Sequence, residues 1–183
     1  MRWCASALQQ DEVLMQGYLL VDGYNVLNSW RLFEKLRQQS LDHAREVLIA
    51  YISEYAAFKG YAATIVFDAQ KNPEPGTVIE TQGLVVVYTD EGETADSWIE
   101  RRTYELKGRK VFVVTSDYAE QLNVLGAGAY RISAREFYED YKKAKEEIAE
   151  ELQQPKRALN RNELGGRIDS NVLAYLEQLR RQG

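Results

Sequence analysis

Apolar positions along this chain follow two alternating rhythms. Short continuous runs occur at YLLVDG (18–23), YAATIVFDA (61–69), GLVVVYT (83–89) and KVFVVTSD (110–117), each closing on polar or turn-forming residues. Such runs read as buried parallel strands. Between them, SLDHAREVLIAYISEYAAFKG (40–60) and ETADSWIERRTYELKG (93–108) carry apolar residues at helical spacing. Ser40 or Asp42 is placed to cap the first helix and Gly60 to end it; Thr94 and Gly108 bracket the second. QKNPEPG (70–76), with two prolines, reads as a loop. A helix is predicted from about Tyr118 to Leu125, a short fifth strand within AGAYRIS (127–133), and a long charged helix over 133–154 stopped by Pro155. A basic linker, KRALNRNELGGR, then leads to a last short helix over about Asp169–Arg181.

Strands alternating with helices predict an α/β fold, a mainly parallel sheet flanked by helices in three layers. The expected division is an N-terminal tail over 1–16, one domain over 17–155, and a basic linker with a C-terminal helix, 156–183, packed on that domain. Residues 1–14 show no period, and Met15 stands as an alternative start.

Three of the apolar runs end in an aspartate: Asp22, Asp68 and Asp117. A fourth, Asp96, falls in the first turn of the helix after the third run. In a parallel sheet all four point to the carboxyl edge, where sites of open α/β folds gather. Taken singly, an aspartate after a strand is as readily a turn former or helix cap. Four together form a repulsive cluster that a divalent cation would relieve. The donors are hard oxygens, which favours Mg²⁺, with Mn²⁺ as the alternative. Two direct ligands are expected from Asp22, Asp96 and Asp117, with the remaining acids acting through water. Glu100 lies one turn beyond Asp96 on the same helix face, as a supporting acid or an arginine partner. Gly23 suits a close backbone approach. Asn25, Thr115 and Ser116 are candidates for phosphate or water contacts, or for capping.

Composition narrows the chemistry further. One cysteine among 183 residues excludes an internal disulfide and any zinc site built on paired cysteines. The single histidine, His43, lies within a helical pattern and reads as a solvated surface residue. No apolar run approaches the length of a membrane span, and the first residues lack a secretory pattern, so a cytoplasmic protein without membrane contact is expected. The net charge of −5 argues against nucleic-acid binding by bulk charge.

VDGYN (21–25), VFDA (66–69), ETADSWIE (93–100), TSDYAEQ (115–121) and ARE (134–136) together resemble the NYN nucleases of YacP type. The resemblance runs from about Tyr18 to the C-terminus. It implies a PIN-like three-layer sandwich and a metal-dependent endoribonuclease that associates with the ribosome and cuts translated mRNA. It also implies that Asp22 and Asp96 are the catalytic acids, with Asp68 and Asp117 matching further acidic positions of the site. For RNA contact, Lys156, Arg157 and Arg161 form the clearest basic stretch, and Trp30 is the aromatic expected beside the site. A monomer is the expected state. The competing reading is an inactive RNA- or ribosome-binding module of the same fold. A haloacid-dehalogenase-type phosphatase lacks its D-x-D pair here, and a dinucleotide enzyme its G-x-G-x-x-G.

Overall fold

The run that begins at Gly17 becomes the centre of a six-stranded sheet. The computed structural model describes residues 16–69, 76–116 and 128–153. Strand β1 (Gly17–Asp22) leads into helix α1 (Gly23–Ser29), a 3₁₀ turn (Arg31–Phe33), α2 (Glu34–Gln39) and the long α3 (Leu41–Lys59). β2 (Tyr61–Phe67) is followed by the hairpin strands β3 (Val78–Thr81) and β4 (Leu84–Tyr88). Helix α4 (Ala95–Glu105), β5 (Val111–Val114), β6 (Tyr130–Ile132) and helix α5 (Ala134–Gln153) complete the described elements.

The strand order is β3-β4-β2-β1-β5-β6, and every pairing is parallel except β3 with β4. The chain therefore builds outward from β1 through β2 and β4, then returns to pair β5 with the other side of β1. That reversal makes the carboxyl ends of β1 and β5 a topological switch point, where open α/β sheets form their clefts. Pleating divides the sheet's side chains between two cores. Leu19, Val21, Ile65, Phe67 and Val86 pack with α1, α3 and the first turns of α5 through Leu27, Leu48, Ile52 and Phe137. On the other face, Leu20, Val66, Val87 and Val113 pack against Trp98 and Ile99 of α4.

Three of the predicted helix ends are where the sequence signals put them; the fourth is not, since α4 ends at Glu105 with Leu106 as its C-cap, ahead of the expected Gly108. Ser40 caps α3 by accepting the His43 amide at 3.2 Å. Gly60 ends α3 in the left-handed region, with φ of 69°. Thr94 caps α4 by accepting the Ser97 amide at 3.2 Å.

Two departures have physical causes. Residues 23–39, which the hydrophobic pattern left unassigned, form two short helices and a 3₁₀ turn, because Val26, Leu27, Trp30 and Phe33 drive the segment into the core. β3 is an extra edge strand, antiparallel to β4 and joined to it by a two-residue turn. Gln82 and Gly83 both have positive φ, 50° and 76°, the conformation that matches the twist of a tight hairpin. The segment 1–15, the expected helices over 118–125 and 169–181, and the basic linker lie outside the described residues.

Candidate active site

Asp22 is the last residue of β1 and at the same time the N-cap of α1. Its Oδ1 accepts the Asn25 amide at 3.0 Å. The turn into α1 is tight because Gly23 sits directly on the Phe67 ring; a Cβ there would lie 2.3 Å from Phe67 Cε1. Pleating places Leu20, and with it Asp22, toward the α4 side of the sheet. Asp68 follows β2, and Asp96 lies in the first turn of α4, on that same side.

The three acids are close enough to feel one another. Burial pushes the Asp22 carboxyl up to about 6, and the charges of Asp96 and Asp68 add to that rise. Backbone amides of Asn25 and Tyr24 act in the opposite direction. At neutral pH, Asp22 is thus an ionised carboxylate held in an environment that disfavours its charge.

Loop anchors fix this edge. The Thr89 hydroxyl, fully buried, accepts the Ala69 amide at 2.9 Å and donates to the Glu93 carbonyl at 2.8 Å. It ties the end of β2, beside Asp68, to the segment that launches α4. Across the switch point, Asn25 Oδ1 accepts the Ser116 amide at 3.1 Å, and Ser116 Oγ accepts the Ala134 amide at 3.2 Å. Asn25 thereby joins the start of α1 to the end of β5.

Among the described residues no three His, Cys, Asp or Glu side chains form a ready-made metal site. Magnesium does not need one, since it commonly takes one or two carboxylates and keeps most of its water. The donor set fits such an ion: Asp22, Asp96 and Asp68 are all hard oxygens, and their mutual repulsion is what a cation would relieve. Asp22 and Asp96 would hold it, with Asp68 available through water.

Other expected site residues divide. Glu100 is half-buried on α4, one turn beyond Asp96. Ser116 is exposed at the end of β5, beside Asn25. Thr115 is 0% exposed and its amide donates to the Ile132 carbonyl, so it secures the strand end and does not reach a substrate. Trp30 is also reassigned. It is 2% exposed, its Nε1 donates to the Ala134 carbonyl at 2.8 Å, and Phe33, Phe137, Tyr138 and Tyr141 surround its ring. An indole packed on these sides offers no face to a base. Arg101 and Arg102, two of the cations near Asp96, pair with Glu93 and Glu105. Asp117, Lys156, Arg157 and Arg161 lie outside the described residues.

Two contributors escaped the sequence reading. Thr89 looked like an ordinary strand end. Arg45 falls within the apolar stripe of α3, between Ala44 and Leu48, and a charge in that stripe is a legible sign of a buried role.

Comparison with known proteins gives concordant results. The family model for the YacP-like NYN domain matches residues 19–181. The uncharacterized protein YacP of Bacillus subtilis (strain 168) is 34% identical over 167 residues, covering 89% of this chain and 96% of that protein. The crystal structure of Rae1 (YacP) from Bacillus subtilis superposes with a TM-score of 0.66 at 33% identity, over 90% of this chain and 94% of that one. Its W164L mutant superposes with a TM-score of 0.63 at 37% identity, over 73% and 80% of the two chains. Among the described residues no helix is long and apolar enough to cross a membrane.

Proposed function

The chain belongs to the YacP-like NYN domain family, whose fold is of the nuclease type, and from that membership we propose that it is a magnesium-dependent endoribonuclease. The single observation that carries the reading is the convergence of Asp22, Asp68 and Asp96 at the carboxyl edge of the sheet, with Asp22 pushed up to about 6. A protein that only binds RNA gains nothing from half-buried carboxylates set close enough for Asp22 to feel the charge of the other two. A phosphodiesterase does, because cations held there neutralise charge that develops on a phosphate.

The proposed division of labour follows the geometry. Asp22 and Asp96 would hold a divalent cation, with Asp68 reaching it through water. When bound, the cation supplies charge neutralisation at the phosphate and an activated water. Asn25, anchored through its oxygen to Ser116, presents its amide nitrogen toward the scissile phosphate. Asp117, next along the chain from Ser116, is proposed as a further acid of the site. Glu100 supports the cluster from the next turn of α4.

We further infer that the substrate is mRNA presented by the ribosome. A chain with a net charge of −5 repels free RNA at long range. The stretch containing Lys156, Arg157 and Arg161 is the proposed ribosomal RNA contact.

The test is cleavage of labelled single-stranded RNA and of mRNA on translating ribosomes, with Mg²⁺ and with chelator. Cleavage should require Mg²⁺ or Mn²⁺, be stronger on ribosomes, and be lost in Asp22→Asn and Asp96→Asn. Ribosome binding without any cleavage would leave the inactive binding module as the correct reading. Full cleavage after exhaustive chelation would remove the cation from it.

A further inference from the structure

Helix α3 carries a charged residue on its buried face. Arg45 is 6% exposed and sits in the stripe formed by Ala44, Leu48, Ile52 and Tyr55. A guanidinium in such a place is costly unless its donors and its flat faces all find partners. Here they do. Nη1 donates to the Tyr24 hydroxyl at 2.9 Å, Nη2 pairs with Asp42, and the guanidinium carbon lies 5.7 Å from the centre of the Tyr88 ring. Tyr24 meets Phe67 edge to face at 5.2 Å, and Phe67 stacks on Tyr88 at 5.5 Å. Guanidinium and three rings thus close a cycle.

Each ring in that cycle borders an acid-bearing segment. Tyr24 comes two residues after Asp22, and Phe67 immediately precedes Asp68. Tyr88 immediately precedes Thr89, whose hydroxyl ties Ala69 to Glu93 ahead of Asp96. Gly23 rests on the same Phe67 ring. Stability alone does not call for an arginine here, because its ion-pair partner Asp42 is 78% exposed and such solvent-facing pairs contribute little. We infer that Arg45 is a positioning residue of the acid edge, fixing through Tyr24 and Tyr88 the backbone that presents Asp22, Asp68 and Asp96. Its effect on RNA cleavage rests on the nuclease reading; its effect on the geometry of the edge does not.

The experiment compares full-length wild type with Arg45→Met, Arg45→Lys and Tyr24→Phe. Ile52→Val, on the same face of α3 but farther from the acids, controls for lost stability. Three quantities are read: Mn²⁺ affinity by water-proton relaxation, the amide chemical shifts of Asp68 and Asp96, and kcat and KM for single-stranded RNA. Arg45→Met and Tyr24→Phe should weaken Mn²⁺ binding and lower kcat by about tenfold each, the scale seen when partners that orient metal ligands are removed. KM for RNA should hold. Arg45→Lys should recover only part of the loss, because an ammonium cannot grip two acceptors while lying flat on a ring. Both amide shifts should move in Tyr24→Phe and stay in Ile52→Val. Unchanged shifts and unchanged Mn²⁺ affinity in Tyr24→Phe would overturn the inference, even if Arg45→Met failed to fold. A wild type that binds Mn²⁺ but cuts no RNA would overturn the nuclease reading instead, and the Mn²⁺ comparison would still decide the role of Arg45.

Discussion

Asp22 serves two masters: as a helix cap it is stabilising, and as a buried charge beside two other acids it is not. Its carboxyl is raised from 3.8 to about 6. The folded protein therefore holds this proton more tightly than the unfolded chain does. The associated stability is fully present below about pH 3.8 and is lost as pH rises through about 6. Asparagine caps a helix as well as aspartate does, so Asp22→Asn removes the charge and keeps the cap. In cation-free buffer the Asp22→Asn variant should melt higher than wild type at pH 7–8, by up to about 3 kcal/mol of stability. The gap should close as pH falls toward 4, and Mg²⁺ should narrow it at pH 7 by stabilising only the wild type. Thermal melts of the two proteins across pH 4–8 check this; a wild type that melts higher at pH 8 without cation would contradict the electrostatics described here. Trp30 makes a contrasting prediction at the same scale. Trp30→Phe keeps most of the ring packing but leaves the Ala134 carbonyl without its indole donor. It should lose about 1 kcal/mol of stability, the net worth of one hydrogen bond, since the Ala134 carbonyl keeps its partner within α5. RNA affinity, measured below the melting transition, should be unchanged, because the indole stacks on protein rings.

Among the elements, α4 carries the most consequence for the site, since Asp96 stands in its first turn. Thr94→Ala removes the hydroxyl that accepts the Ser97 amide and should cost about 1 kcal/mol. Fraying of that turn moves Asp96, so cleavage should fall by more than the stability loss explains; kcat at a temperature well below the melt is the measurement. α3 was legible in the sequence down to both caps and α4 at its start, because Ser40, Gly60 and Thr94 are residues with a specific bonding reason to be there; α4 ends at Glu105, short of Gly108, on the uncharacteristic cap Leu106. The acid edge was legible because a parallel sheet sends the ends of its strands to one side. What stayed hidden lacked such a signal. Residues 23–39 mix polar and apolar positions without one clear period, so α1, α2 and the 3₁₀ turn did not stand out. β3 is four residues long and largely exposed, and its pattern resembles a loop. Trp30 was misjudged because closeness along the chain to Asn25 says nothing about which way a side chain turns; α1 directs it into the core beneath α5. Thr89 acts through a contact between distant segments, which no local window contains, whereas Arg45 left a sign in the stripe of α3 but not the identity of Tyr24 and Tyr88 as its partners.

At the scale of the molecule, charge and topology set the terms. With a net charge of −5, the proposed capture of RNA would depend on local cations. Reversing charge at Lys156, Arg157 and Arg161 together should weaken co-sedimentation with ribosomes and flatten its salt dependence, because fewer counterions are released. Mn²⁺ affinity should not change in that variant. Efficient, salt-insensitive cleavage of naked RNA by the wild type would instead describe a free single-strand endonuclease. Topology has a separate consequence, in the order of synthesis. β1 is made first among the strands, yet one of its two neighbours, β5, lies about ninety positions later along the chain. Long-range parallel pairing of this kind forms late. A nascent chain still lacking β5 has Asp22 but only one of the two strands that flank β1, and Asn25 has no Ser116 amide to accept. The acid edge is therefore assembled only in the later part of synthesis, once Val111–Val114 can pair with the strand made first.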